Sequence, residues 1–273
     1  MNRALPTAKD KPLFTPGPLT TSQSVKLSML RDLGSRDVEF IQIVQGIRDG
    51  LLQVAGVRRE DGYECVLMQG SGTFGVEAVM TCAVPPNSEG GKWLILINGA
   101  YGQRIKKIAE VHGISYQEMV WNEDTPVDPD DVDRVLQDDP SITAVAVVHC
   151  ETTTGIMNPI AAIGKIVRKH DRTYFVDSMS AFGAVQFDFA DCECDFLVSS
   201  ANKCIEGVPG FSFCLARRSS LEKTAGWSRT LSLDLHAQWQ GLESSGQFRF
   251  TPPTHTMLAF YTALKELAAE GGV

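Results

Sequence analysis

A chain of 273 residues leaves room for one large α/β domain or two ordinary ones, with a substantial core in either case. Hydrophobic residues at 43%, charged residues at 21% and a mean hydropathy of -0.06 exclude disorder and a coiled coil. A formal net charge of -8, from 25 Lys plus Arg against 33 Asp plus Glu, argues against a broad nucleic-acid surface.

In chain order, Met1 to Pro12 lacks the apolar core of a signal peptide. Pro6, Pro12, Pro16 and Pro18 make residues 1–20 an extended arm, because proline fixes φ and pushes its predecessor out of the helical region. Residues 20–33 and 37–54 read as helices, the second with Ile41, Val44, Ile47 and Leu51 on one face. Short apolar runs follow at 65–68, 93–97, 144–148, 174–176 and 196–198, separated by helical stretches at 75–83, 102–112, 129–137 and 160–170. The runs are nearly continuous rather than alternating, which predicts parallel strands buried on both faces. A further strand over 210–215, possibly antiparallel in the sheet, and a helix over 257–269 complete the pattern. The fold class is therefore α/β, a mostly parallel sheet flanked by helices. No apolar run approaches the roughly 18 residues that cross a bilayer. Seven cysteines scattered through apolar segments form no disulfide framework, so a reducing cytoplasm is the simplest compartment.

Ligands of an open parallel sheet bind beyond the carboxyl ends of its strands. Polar residues follow each of five strands here: Ser71, Gly72 and Thr73 in a glycine-rich turn, then Asn98 and Tyr101, then His149 to Thr154, then Asp177 and Ser178, then Ser199 to Lys203. The turn matches G-x-G-x-x-G, but a dinucleotide fold wants an acid after the next strand, and Asn98 stands there. Taken singly, Lys203 can be a solvated lysine, Asp177 a loop cap and Tyr101 half-buried packing. Cys192-x-Cys194 lacks the second pair of a metal site, and His149 beside Cys150 lacks an oxyanion feature. Taken together, the residues suit pyridoxal 5′-phosphate. That cofactor needs a lysine amine (Lys203), a carboxylate for the pyridine nitrogen (Asp177), an anion cradle (Ser71, Gly72, Thr73) and a flat ring (Tyr101).

Thr15-Pro16-Gly17-Pro18, Gly70-Ser71-Gly72-Thr73, Asn98-Gly99-Ala100-Tyr101-Gly102, Val176-Asp177-Ser178-Met179-Ser180 and Ser199-Ser200-Ala201-Asn202-Lys203 resemble the fold-type I, class V aminotransferases. The long runs 13–22, 149–155, 201–211 and 228–235 are similar to the branch that moves the amine of 2-aminoethylphosphonate to pyruvate, giving phosphonoacetaldehyde and L-alanine. The resemblance implies that Lys203 bears the cofactor and then shuttles a proton, while Asp177 pairs with the pyridinium. It further implies Thr152 on the phenolic oxygen, Tyr101 on the ring, and Ser71, Gly72, Thr73 and Asn202 on the phosphate. It implies a homodimer in which Thr254 of one subunit completes the phosphate site of the other; on charge, apolar run length and cysteine spacing, no metal, nucleic acid or membrane is expected as a partner. By the same resemblance residues 21–256 are a cofactor-binding large domain. Residues 257–273 then begin the helix into a small C-terminal domain, which normally supplies an arginine for the substrates and lies beyond Val273. Without it a weakly active chain, or an inactive dimerisation partner, is an expectation. A serine- or alanine–glyoxylate aminotransferase and an aminophosphonate lyase are the rivals within the fold.

Overall fold

The computed structural model describes residues 11–273; Pro6 and the rest of residues 1–10 of the expected arm lie outside the described residues. A mixed sheet of seven strands runs through the molecule: β1 (Tyr63–Gln69), β2 (Lys92–Ile97), β3 (Ser115–Val120), β4 (Ala144–Val148), β5 (Thr173–Asp177), β6 (Phe196–Ser200) and β7 (Phe211–Arg217). Their spatial order is β1-β7-β6-β5-β4-β2-β3. β6, β5, β4, β2 and β3 pair in parallel, whereas β7 lies antiparallel between β6 and β1. Two reversals cancel, so β1 points the same way as the parallel strands, and the carboxyl ends of β1, β2, β4, β5 and β6 share one edge.

Nine α-helices are described: α1 (Gln23–Leu27), α2 (Val38–Val54), α3 (Gly72–Cys82), α4 (Ala100–Val111), α5 (Pro129–Asp138), α6 (Ile160–Lys169), α7 (Arg218–Lys223), α8 (Leu235–Ser245) and α9 (Thr254–Ala269). Every residue of β4 and β6 is buried, which requires cover on both faces of the sheet. α3 packs on β6 and β7, α4 on β2, α6 on β5, and α2 on both β1 and α9. The apolar face of α2 enters the core through Phe40, Ile43, Val44, Ile47 and Leu51. At the amino end of β1 the buried Arg48 bonds the Cys65 carbonyl oxygen over 2.7 Å and pairs with buried Glu64 over 3.3 Å.

Three expectations need correction. The helix foreseen over 20–33 shrinks to α1: beyond Ser28 the chain leaves the helix with Leu30 64% exposed, while Met29 and Leu33 pack against the core from a non-helical segment. β1 pairs only with the antiparallel β7, since a strand buried on both faces reads the same in either orientation. The pattern also missed β3, an edge strand whose Ser115, Glu118 and Val120 face outward, together with α7 and α8. No helix among the described residues is long and apolar enough to cross a membrane.

The register sets up a test of where the sheet bears load. Leu94 in β2 lies opposite Gln117 in β3, yet Leu94 is wholly buried and Gln117 only half-buried. Leu94→Ala should cost about 2–5 kcal/mol in urea denaturation, and Gln117→Ala about 0.5 kcal/mol or less.

Candidate active site

α3 begins directly at the end of β1. Gly70 donates its N–H to the Gly210 carbonyl oxygen over 3.0 Å, which pins the turn to the start of β7. Ser71 occupies the cap position in an extended conformation, and its hydroxyl makes no bond to its own helix. The first amides of α3 and the Ser71 hydroxyl are thus left for an anion, favoured by the helix dipole. Gly72 permits the approach: a Cβ there would stand 2.5 Å from Met179 Sδ and 3.4 Å from Ser200 Cβ. A side chain there would have to displace the end of the Met179 side chain, which packs between the helix start and the strand ends.

Asp177 ends β5 and is buried, and its Oδ1 accepts one hydrogen bond from the Met179 N–H over 3.1 Å. It makes no ion pair among the described residues. Burial pushes its carboxyl up to about 6, with Glu151 adding to the rise, while the Met179 bond and the positive charges of Arg104 and Lys203 act against it. Lys203 lies in the turn after β6, and its Nζ donates to the Pro16 carbonyl oxygen over 3.2 Å. Gly17, at a φ of 137°, lets the arm pass so close that a Cβ would meet Lys203 Cδ at 2.6 Å. The Ser200 hydroxyl donates to Asn202 Oδ1 over 3.2 Å in the same turn.

α4 opens without a side-chain cap of its own. The buried Glu151, from the loop after β4, supplies one instead: Oε2 accepts the Tyr101 N–H over 3.1 Å and Oε1 the Gly102 N–H over 2.9 Å. A carboxylate at a helix amino terminus is favourable, and this one fixes where Tyr101 stands. The Arg104 guanidinium lies 4.5 Å from the centroid of the Tyr101 ring. Asn98, where a dinucleotide site would carry an acid, exchanges two amide bonds with buried Asn158, over 2.8 and 3.0 Å.

Ser71, Gly72, Thr73, Tyr101, Asp177, Asn202 and Lys203 line one cleft of about 140 Å³, together with Arg104 and Met179. Two foreseen site residues stand outside its walls. Thr152 Oγ1 bonds Ser180 Oγ at 2.6 Å, and Thr254 begins α9. The thiol-nucleophile alternative has no geometry behind it. The His149 ring bonds the Ser178 hydroxyl at 3.0 Å and burial drives its pKa down to about 4, while burial pushes the Cys150 thiol up. Cys192 and Cys194 are buried, and no metal-holding cluster exists among the described residues.

A family model described as aminotransferase class-V matches residues 21–273. The chain belongs to the class-V aminotransferases. Among curated relatives, the 2-aminoethylphosphonate–pyruvate transaminase of Bacillus cytotoxicus is 50% identical over 262 residues, covering 96% of this chain and 71% of the relative. The 2-aminoethylphosphonate–pyruvate transaminase 1 of a Polaromonas species is 48% identical, covering 97% of this chain and 70% of that one. Among solved structures, pyridoxamine–pyruvate aminotransferase from Mesorhizobium loti superposes with a TM-score of 0.87 at 26% identity, over 98% of this chain and 68% of that one. The alanine–glyoxylate aminotransferase of a Nostoc species has the same fold, with a TM-score of 0.87 at 24% identity over 98% of this chain and 71% of its own. Class-V aminotransferases in general depend on pyridoxal 5′-phosphate. The cleft of this aminotransferase suits such a group: it holds a buried carboxylate without a counter-ion, which would fit a protonated ring nitrogen, and uncapped helix amides, which would fit a phosphate.

The buried acid makes stability depend on pH in a stated direction. The folded chain holds the Asp177 proton up to about 6, above the ordinary 3.8. Its contribution is therefore fully present below about 4 and lost as pH rises through 6, a swing of roughly 2–3 kcal/mol. Melting of the cofactor-free chain across this window should lose that component in Asp177→Asn. Parallel curves for the two proteins would contradict it.

Proposed function

We propose that this chain catalyses pyridoxal-5′-phosphate-dependent transfer of the amine of 2-aminoethylphosphonate to pyruvate, giving phosphonoacetaldehyde and L-alanine. The observation that carries the chemistry is the buried, unpaired Asp177 carboxylate in one cleft with Lys203. The choice of substrates rests on identities of 48–50% with relatives named for that reaction. The serine- or alanine–glyoxylate reading has less support, since the Nostoc alanine–glyoxylate enzyme shares 24%.

In this reading Lys203 is the point of attachment, held toward the cleft by its bond to the Pro16 carbonyl. The Lys203 Nζ would be the base that takes the proton from the donor's amino-bearing carbon and, as the resulting acid, would give it back to the cofactor. Bound in the cleft, the cofactor supplies a sink for the electron pair that this proton leaves behind. Asp177 keeps the ring nitrogen protonated, and a protonated nitrogen in turn makes the buried carboxylate stable as an anion. Tyr101 stacks on the ring, positioned through Glu151, while Thr152 accompanies the phenolic oxygen. Ser71, Gly72, Thr73 and Asn202 hold the phosphate. We propose a homodimer in which Thr254 reaches the partner's phosphate site. The proposed division is an arm to residue 20, a cofactor-binding unit over 21–256, and a connecting helix from 257.

Two measurements test this. The chain loaded with pyridoxal 5′-phosphate and freed of excess should show a visible band that 2-aminoethylphosphonate discharges and pyruvate restores. Lys203→Ala should lack the band and lose roughly 10²–10⁴-fold in turnover. A band indifferent to 2-aminoethylphosphonate but discharged by L-alanine or L-serine would contradict the assigned donor.

A further inference from the structure

The cleft contains one cation to which the reaction above gives no task. Arg104 stands one turn after Tyr101 on α4, is exposed, and makes no ion pair among the described residues. Its guanidinium lies 4.5 Å from the Tyr101 ring centroid. Its Nη1 donates to Thr73 Oγ1 over 3.4 Å, a long bond that is easily exchanged for a better one. Thr73 itself belongs to the start of α3, so the guanidinium already rests on the rim of the anion cradle.

We propose that Arg104 is the charged member of that cradle and binds the 5′-phosphate of the cofactor beside the α3 amides and the Ser71 and Thr73 hydroxyls. The inference rests on the pyridoxal-phosphate reading. Three observations carry it. First, the chain has a net charge of -8, and Asp177 lies inside the cleft with Glu151 close behind it, so a phosphate entering there meets negative charge. Second, among the described residues the only cationic side chains lining the cleft are Lys203 and Arg104, and Lys203 is taken by the cofactor's aldehyde end. Third, stacking on Tyr101 holds the guanidinium fork in a restricted plane, which lowers the entropy lost when it closes on a phosphate. One residue, Tyr101, then serves two flat partners, the cofactor ring and the guanidinium.

The test measures binding rather than turnover, and uses pyridoxamine 5′-phosphate so that Lys203 forms no bond with the ligand. Arg104→Gln should weaken its binding by roughly tenfold or more and flatten the salt dependence, with an unchanged melting temperature. Arg104→Lys should keep the salt dependence while recovering part of the affinity. Pyridoxamine, which has no phosphate, should bind the wild type and Arg104→Gln within about twofold. Unchanged or tighter binding of pyridoxamine 5′-phosphate by Arg104→Gln would overturn the proposal, since the guanidinium would then merely cover the Tyr101 ring. Equal losses for both ligands would also overturn it, because they would trace to stacking. If wild type binds neither pyridoxamine 5′-phosphate nor pyridoxal 5′-phosphate, the cofactor reading fails and takes this inference with it. Failure confined to the Arg104 variants leaves that reading standing.

Discussion

A carboxylate buried at the end of a central strand is the constraint around which this molecule is arranged. Asp177 lies between β4 and β6, in the middle of the sheet, with a single backbone N–H to satisfy it. Burying an ionised group without a partner is unfavourable by several kcal/mol in general, and the group responds by holding its proton. A fold keeps such a feature when something else supplies the missing positive charge. The parallel sheet provides the opening for it, since its strands deliver their loops to one edge and leave a space between the start of α3 and the turn after β6.

The same edge is held together by contacts that contain little chemistry of their own. Glu151 reaches from the loop after β4 to the first amides of α4, and so fixes the ring that faces the cleft. The arm crosses the edge at Gly17, where only the absence of a side chain lets it lie against Lys203. Met179 both donates the Asp177 hydrogen bond and packs on Gly72, coupling the carboxylate to the helix start. Disturbing any of these should displace the cleft's walls before it disturbs the core.

The central strands were legible because each is a run of buried apolar residues bounded by glycine or polar turns; β2, β4, β5 and β6 differ from the sequence reading by a few residues at most. β3 was not, since an edge strand half open to solvent has no apolar run to announce it. α8 carried a readable signal in Asp234, whose side chain caps the Ala237 N–H, but its mixed surface hid the helical period. In the site, Ser71, Tyr101, Asp177 and Lys203 could be picked out because strand ends in a parallel sheet share an edge. Glu151 was visible as a letter within a motif and nothing more, and Arg104 stood two residues past one. Their work depends on partners 49 and 31 residues away, Gly102 and Thr73, and that proximity exists only in the folded chain.

The central claim is that Asp177 awaits a cation, and proton accounting tests it most directly. Calorimetric titration with pyridoxamine 5′-phosphate at pH 8, in two buffers of different ionisation enthalpy, reports the protons taken up on binding. The account predicts that the wild-type chain takes up a proton, retained on the ring nitrogen against the ionised carboxylate, and that Asp177→Asn takes up markedly fewer while binding more weakly. Equal uptake by the two proteins would contradict it, because the buried carboxylate would then have no part in holding the ligand's charge.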